Sequence, residues 1–503
     1  MTAQDILDSY EMTIGIECHV QLATKTKLFS SADNNARDAA PNTMTHPIDF
    51  GLPGMLPVLN KTAVDLAIKA GKALNSKVAN VSRFDRKHYF YPDLPKGYQT
   101  SQMYEPIILA GYIDAPLENG ESVRVRIHHA HMEEDAGKLT HHSDHSLVDL
   151  NRAGTPLIEI VSEPDIHSAE AAKAYATELY RLMTYAGVTH GDLYHGNMRF
   201  DVNISVAKKG ATELGKRAEV KNLNSFRSVE KAAEYEFRRQ VALLEAGERV
   251  VQETRGWDDA KQVTNSQRSK EDAQDYRYMP DADIPPIVLT DEYIAEVQKE
   301  VPTLPYEYRE IFSALDVDRS VIGVLLSNQD IAKLMLQVVK SDKSTGHRAE
   351  IIANLFTRIK PHDPDTSNES GDPENKAIGL LVSQHAESHG DGKIIADFID
   401  VATMFNNEEI SSNAAETIFL SILNGETDPR QIAEAQNLLQ VSDEGEIAKI
   451  VDEVLADPAS ARSLEDIRAG KDKAIGYLVG QVMKKSQGKA NPALAQKLIR
   501  ERL

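Results

Sequence analysis

Between Thr13 and Leu22, polar and apolar positions alternate without a break. Ile14, Ile16, Cys18, Val20 and Leu22 fall on one side, and Thr13, Gly15, Glu17, His19 and Gln21 on the other. A period of two sends successive side chains to opposite faces of a strand, so this stretch is predicted as a strand covered on one face and wet on the other. The pattern returns over 199–206, with Phe200, Val202, Ile204 and Val206 inward and Arg199, Asp201, Asn203 and Ser205 outward. It appears more briefly over 217–221. Strands that each keep a polar face imply a largely antiparallel sheet, because parallel sheets are covered on both faces.

Helical spacing lies between these strands. One helix is predicted from about Lys61 to Leu74, after the turn-rich Gly51–Val58, with Val64, Ala67, Ile68, Ala70 and Leu74 as its apolar stripe. A second covers 168–187, capped by Ser168, with Leu179, Leu182 and Met183 inward. A third covers 226–247 and ends at Gly247. Residues 252–258 and 275–286 are expected as ordered loops. Beyond about residue 290 the spacing is helical only, near 304–315, 318–325, 328–341, 346–360 and again from about 376 to 405. A linker-like stretch over 361–375 interrupts it, and Asn406-Asn407 marks a boundary. The expected fold class is α+β: a largely antiparallel sheet domain over 1–292, then two all-helical domains over 293–405 and 406–503.

The polar faces carry unusual chemistry. Wet strand faces favour Thr, Lys and Arg, and Asp is depleted in strands, yet these faces repeatedly offer Glu, His and Asp. Taken singly, each is an ordinary solvated surface; the repetition decides against that. Glu159 fits a solvated surface least, since it sits in the apolar run from Leu157 to Val161. A carboxylate there is costly to desolvate unless a cation or strong donors meet it. If the strands are neighbours, Glu17, His19, Glu159, Asp201 and Glu219 surround one concavity, with Glu133 or Glu134 at a strand end. So many hard oxygen ligands suit Mg²⁺ with a bound nucleotide, whereas zinc would want more His or Cys. Neither a Walker A pattern nor a GxGxxG following a strand is present, so an ATP site here is of another type.

Composition narrows the function further. The chain has 503 residues, too many for one core, with 41% hydrophobic and 26% charged residues, ordinary for a globular enzyme. A net charge of −21 opposes non-specific nucleic-acid binding, so an RNA partner must be met by local basic patches. One such patch lies between Gly470 and Leu503. There Lys471, Lys473, Lys484, Lys485, Lys489, Lys497, Arg500 and Arg502 face only Asp472 and Glu501. A second feature is Phe84–Gln99, where basic and aromatic residues interleave; such a stretch can stack a base and hold phosphates, or pack as a loop. Arg255 and Arg277 are candidates for phosphate contacts or, equally, for surface ion pairs. One cysteine, Cys18, excludes an internal disulfide framework. The acidic start, with no signal pattern and no run of about 18 apolar residues, gives the expectation of a cytoplasmic protein with no membrane partner.

Several blocks then point to a known family. They are Tyr10–Val20, FDRKHYFYPDLPKGYQ over 84–99, HMEEDAGK over 131–138, DLNRAGTPLIEIVSEPD over 149–165, Glu219–Phe226 and GYLVGQVMKKSQGKANP over 476–492. In this order and over nearly the whole chain they resemble the B subunits of bacterial aspartyl/glutamyl-tRNA(Asn/Gln) amidotransferases. The resemblance implies a catalytic sheet domain similar to glutamine synthetase, a central helical domain and a tail domain that grips tRNA. It implies ATP-dependent phosphorylation of the side-chain carboxylate of Glu on tRNA(Gln) or Asp on tRNA(Asn). Ammonia from a glutamine-hydrolysing amidase subunit then displaces the phosphate, and a heterotrimer is made up with a small third subunit. Carried onto this sequence, the Mg²⁺ and ATP-site candidates are Glu17, His19, Glu133, Glu134, Glu159, Asp201 and Glu219. Glu17, His19, Glu134 and Glu159 are the catalytic candidates, and Arg152, Lys221 and Arg255 the basic groups on phosphate. Glu133 and Glu134 cannot both point one way from a regular strand, so a bulge or turn is expected there. Many relatives carry a four-cysteine zinc knuckle in the region read here from Leu28 to Gly51; no cysteine stands in it, so no zinc is expected. Two other readings remain: a stand-alone glutamine-synthetase-like carboxylate-amine ligase, and a non-catalytic tRNA-binding scaffold.

Overall fold

The computed structural model describes residues 3–269, 275–342, 346–359, 373–440, 444–468, 472–486 and 490–503. The chain divides into one compact unit up to Glu307 and a second from Tyr308 onward. The first is built on eight strands: β1 (Tyr10–Gln21), β2 (Gly111–Pro116), β3 (Ser122–Glu134), β4 (Pro156–Ser162), β5 (Met198–Lys208), β6 (Ala218–Leu223), β7 (Glu253–Asp258) and β8 (Val263–Ser269). Their spatial order is β8-β7-β6-β5-β1-β4-β3-β2. All neighbours are antiparallel except β6 and β7. The sheet is therefore antiparallel-dominated, as the one-sided alternation predicts.

One correction concerns β7. Residues 252–258 were expected as a loop; 253–258 form a strand instead, of which 253–256 pair in parallel with β6. The strand is hidden in the sequence because its central residue on the covered side, opposite Val220, is Arg255 rather than an apolar residue.

The longest helices of this unit are α1 (Lys61–Ala73), α2 (Ala169–Tyr185) and α3 (Phe226–Glu245). Each starts where a side-chain oxygen satisfies an orphan amide. Asn60 accepts from Ala63 N, Ser168 from Ala171 N and Ser225 from Ser228 N. The buried stripes of α2 and α3 are rich in small residues, including Ala172, Ala176, Ala232 and Ala233. Small side chains let the helices lie close to the sheet's apolar side, where Phe226 contacts Phe200 and Gln240 Nε2 donates to the Ile204 carbonyl at 3.3 Å. That side buries Ile14, Ile16, Cys18, Val20, Ile158, Ile160, Phe200, Val202 and Ile204 completely or nearly so. Each large aliphatic there contributes about 1.5–3 kcal/mol. The helix Asp291–Lys299 also packs on α1, with Tyr293 bonded to Asp65 and Lys72 Nζ donating to Gln298 O at 2.8 Å.

Among the described residues, the other side of the sheet has no such helical cover. A small three-stranded sheet of Asp85–His88, Tyr98–Ser101 and Met279–Pro280 abuts the end of β3. Thr100 N donates to Glu134 Oε1 at 2.8 Å, and Gln99 Nε2 to the Glu134 carbonyl at 2.8 Å.

The second unit is helical. Helices Gln329–Ser341 and His347–Arg358 follow the expected spacing, but the span from 376 to 405 is two helices, Pro373–His389 and Asp391–Asn406, and a further helix covers Ser412–Leu423. Gly390, at φ +84°, separates them. Phe398 stacks on Phe419 at 4.0 Å, and Phe356 meets Phe419 edge-on at 5.0 Å. A further core gathers Ile447, Val451, Leu478, Val482, Leu498 and Ile499. Residues 361–372 of the linker-like stretch, and Lys471 and Lys489 of the basic island, lie outside the described residues. Within the island, Lys485 pairs with Glu453 and Arg502 with Asp452, both at 2.6 Å, while Lys473 and Lys484 are exposed. Among the described residues, no helix is long and apolar enough to cross a membrane.

Candidate active site

Strand register gathers the polar residues of the open face. On β1, His19 stands opposite Glu159 of β4 and Arg199 of β5, and Glu17 opposite Asp201. Across β3 and β4, His131 stands opposite Glu159; across β5 and β6, Asn203 stands opposite Glu219. Opposed residues in an antiparallel pair share a face, so period-two alternation on five strands delivers all of them to one surface.

Two constellations result. In the first, ligand atoms of His19, Glu133 and Glu159 lie within 4.8 Å of one another. His19 Nε2 is 3.5 Å from Glu133 Oε1 and 3.7 Å from Glu159 Oε2. His131 Nε2 reaches Glu159 Oε2 at 3.2 Å and Glu133 Oε2 at 3.8 Å. In the second, ligand atoms of Glu17, Asp201 and Glu219 lie within the same limit. Lys221 Nζ bridges Asp201 Oδ2 and Glu219 Oε1, both at 3.0 Å. Asn203 Nδ2 donates to Glu17 Oε1 at 3.0 Å, and Thr254 Oγ1 to Glu219 Oε2 at 2.9 Å.

The proton affinities follow from this crowding. Burial raises the Glu17 carboxyl above its ordinary value, and the charges of Glu159, Glu219 and Asp201 raise it further. Burial alone would lower the His131 imidazole, but its bonds to Glu133 and Glu159 prevail and push it up to about 10. Burial would raise Glu159, yet His131 holds it well below the carboxylate range. Lys221 is likewise held above its usual value: its burial is outweighed by Asp201 and Glu219.

The donor set fits a hard divalent cation. Three carboxylates converge at Glu17, Asp201 and Glu219, and the nearby Asn203 Oδ1 is buried with no hydrogen-bond partner among the described residues. The first constellation adds imidazole to two carboxylates, a set that also suits softer divalent metals. Beside Glu17 opens a cavity of about 410 Å³, lined in part by Gly15, Ser162, Asn203, Ser205, Lys216 and Arg217.

The remaining candidates sit elsewhere. Glu134 is separated from Glu133 because the end of β3 stays regular: Glu133 faces the constellation and Glu134 points away, paired with Lys96 and bonded to Thr100 N. The bulge or turn expected at Glu133–Glu134 is not there; the register shift of β3 against β4 is a separate feature, between Ile127 and His129. Arg255 is on the covered side, bonded to Thr264 Oγ1 at 2.7 Å and paired with Glu236 at 3.1 Å and with Glu253, so its donors are committed away from the open face. Arg152 clamps the turn after β3, donating to Ala136 O and Gly137 O, each at 2.9 Å, and pairing with Asp135 at 3.3 Å. Asp135 also takes Arg199 at 3.1 Å, so Arg152 stands at the margin.

Two residues were not singled out from the sequence. His131 carries the signal of a His two positions before Glu133 in one strand, which places both on one face. Lys87, raised by Glu133 and the neighbouring Tyr278 and Glu159 despite its burial, comes from the Phe84–Gln99 stretch.

The chain matches the model of the GatB/GatE catalytic domain over residues 12–295, more than half its length, and a second model, the GatB domain, over 392–503. The chain belongs to this family. Curated relatives run its full length. The protein of Alkalilimnicola ehrlichii is 45% identical over 98% of this chain and 99% of its own, and that of Persephonella marina 43% over the same shares. The protein of Caldicellulosiruptor saccharolyticus is 42% identical, again over 98% and 99%. All three are named as the B-type subunit of aspartyl/glutamyl-tRNA(Asn/Gln) amidotransferase. The first family model covers both constellations.

Proposed function

We propose that this protein is the carboxylate-activating subunit of a tRNA-dependent amidotransferase. It converts Glu-tRNA(Gln), Asp-tRNA(Asn) or both to the amide through an acyl-phosphate. The observation that carries this is the convergence of Glu17, Glu159, Asp201 and Glu219 on one open sheet face, in a chain that spans its named relatives. A free carboxylate is a poor acyl donor; phosphorylation by ATP gives it a leaving group, and ammonia then forms the amide. The carboxylate-lined sheet suits a glutamine-synthetase-like catalytic domain over 1–292, with a central helical domain over 293–405 and a tRNA-gripping tail over 406–503. A glutamine-hydrolysing amidase partner supplies ammonia, a small third protein makes up the heterotrimer, and the setting is the cytoplasm.

Each side chain has a definite task in this reading. Glu17, Asp201 and Glu219 would hold Mg²⁺, as would Glu133 and Glu159 with His19; the ion supplies charge neutralisation on the phosphates. His131 orients Glu133 and Glu159 through its ring nitrogen. The cavity beside Glu17 is of nucleoside size. Ser205 and the Asn203 oxygen would offer polar contacts to a nucleoside there, and Lys216 and Arg217 would offer cations to phosphate. Lys221, Lys87 and Arg199 supply fixed positive charge near the reacting carboxylate.

The test is amidation of Glu-tRNA(Gln) by the co-purified complex, with ATP, Mg²⁺ and ammonium chloride in place of glutamine. ADP release that needs aminoacyl-tRNA and keeps pace with Gln-tRNA formation is expected. ADP release with free glutamate and no tRNA would mark a stand-alone ligase instead.

A further inference from the structure

The Phe84–Gln99 stretch is only partly absorbed by the site above. Its strands, Asp85–His88 and Tyr98–Ser101, bring Lys87 beside Glu133 and Glu159, but the loop between them turns outward. Phe90 at its tip is 82% exposed and Tyr91 47%. This loop is braced rather than loose. Tyr89 N donates to Gly97 O at 3.0 Å, Leu94 is buried, and Gly137 N donates to Asp93 O at 2.9 Å, fixing the loop to the segment that follows Glu133. Gly97, at φ +80°, brings backbone under the Phe90 ring, where an added Cβ would stand 3.1 Å from Phe90 Cε1. The rings of Tyr89 and Tyr91 lie nearly parallel, 21° apart with centroids at 6.1 Å.

A solvent-facing Phe on a braced tip, next to a Tyr with a settled ring orientation, costs hydration and contributes nothing to the core. Two cations stand on the segments that adjoin the loop. Lys87 lies three positions earlier with its amine 4.9 Å from the Tyr276 ring centre. Arg277 is exposed, and its carbonyl stands 2.8 Å from His88 Nδ1. Exposed aromatics flanked by cations suit unpaired nucleotides, whose bases stack and whose phosphates need positive charge. On a chain of net charge −21, a polyanion has to be met at such local places.

We propose that Phe90 and Tyr91 form a stacking platform for the unpaired 3′-terminal nucleotides of aminoacyl-tRNA, with Arg277 on phosphate, at the rim of the carboxylate site. This rests on the functional reading above, since the esterified amino acid must enter with that end. The platform holds the strand while the side-chain carboxylate reaches toward Glu159 and Lys87. It gains nothing from base identity, because every base has a stacking face.

The test uses the reconstituted complex and tRNA carrying 2-aminopurine in place of its 3′-terminal adenosine. Binding to wild type is expected to quench the probe, and the double variant Phe90→Leu with Tyr91→Leu to leave it bright. KM for aminoacyl-tRNA in that variant is expected to rise about tenfold, equivalent to ~1.4 kcal/mol of lost stacking, with kcat within about twofold of wild type. Phe90→Trp should keep the quench. If wild type amidates normally and the double variant quenches equally, the platform is wrong while the functional reading stands. Loss of the amidase partner from the purified complex in the double variant would assign this face to that partner and overturn the proposal. Failure of the wild-type complex to amidate tRNA-bound Glu or Asp would bring down the functional reading, and this proposal with it.

Discussion

Glu159 lies inside a strand whose neighbours are Ile158 and Ile160, and it stays ionised because His131 and His19 stand within 3.2 and 3.7 Å of it. That pairing has a pH signature in metal-free protein. His131 is raised from 6.5 to about 10 on folding, so its contribution is complete below about pH 6.5 and is lost as pH climbs toward 10. In EDTA, thermal unfolding should therefore occur at progressively lower temperature from pH 7 to 10, and His131→Gln should flatten that slope; an unchanged slope would remove His131 from this role. Lys221 gives a second expectation. It neutralises Asp201 and Glu219 beside Glu17, so Lys221→Ala should destabilise metal-free protein by about 1 kcal/mol, a modest figure because the lysine is partly exposed. Mg²⁺ or Mn²⁺ should then raise the melting temperature of the variant more than that of wild type. Most of this site was legible residue by residue, since Glu17, His19, Asp201 and Glu219 each stand in an alternating run. Glu134 was misplaced because the sequence joins it to Glu133, while the pleat sends adjacent residues to opposite faces.

At the scale of elements, legibility depended on where apolar residues stood. β1 and β5 showed themselves because their covered sides are uniformly apolar. β7 did not, because Arg255 sits on the covered side and is satisfied by Glu236, Glu253 and Thr264. No period-two count finds a strand whose inward residue is a buried ion pair. Loop geometry is similarly silent in sequence: Lys27, buried against Asp49 at 2.8 Å, holds the segment near Gly154. Gly154 has φ +81°, and a Cβ there would meet Asp49 Oδ1 at 2.9 Å. Gly154→Ala should accordingly cost about 1–3 kcal/mol in urea denaturation. In the helical unit, Phe398→Ala removes one ring of the Phe356, Phe398 and Phe419 cluster and should cost about 3–5 kcal/mol. A loss below about 1 kcal/mol at either position would mean that the local packing differs from that described.

Across the whole molecule, the change from strand to helix spacing near residue 290 was legible, and the compact units divide close by, at Glu307. The helix Asp291–Lys299 nonetheless stays with the sheet unit, because Tyr293 and Gln298 bond to α1, a long-range contact that no local pattern records. The terminal basic island is partly spent at home, with Lys485 and Arg502 paired to Glu453 and Asp452, which leaves Lys473 and Lys484 among its exposed cations. The central claim is that the open sheet face activates the carboxylate carried on tRNA. The most direct measurement compares wild-type, Glu159→Gln and Glu17→Gln complexes for aminoacyl-tRNA-dependent ADP release with ammonium chloride, alongside glutamine hydrolysis by the partner. The account predicts a fall of at least about 100-fold in ADP release and amidation, with glutamine hydrolysis and complex assembly retained. Variants that assemble and release ADP at the wild-type rate would contradict it, and would make these carboxylates structural.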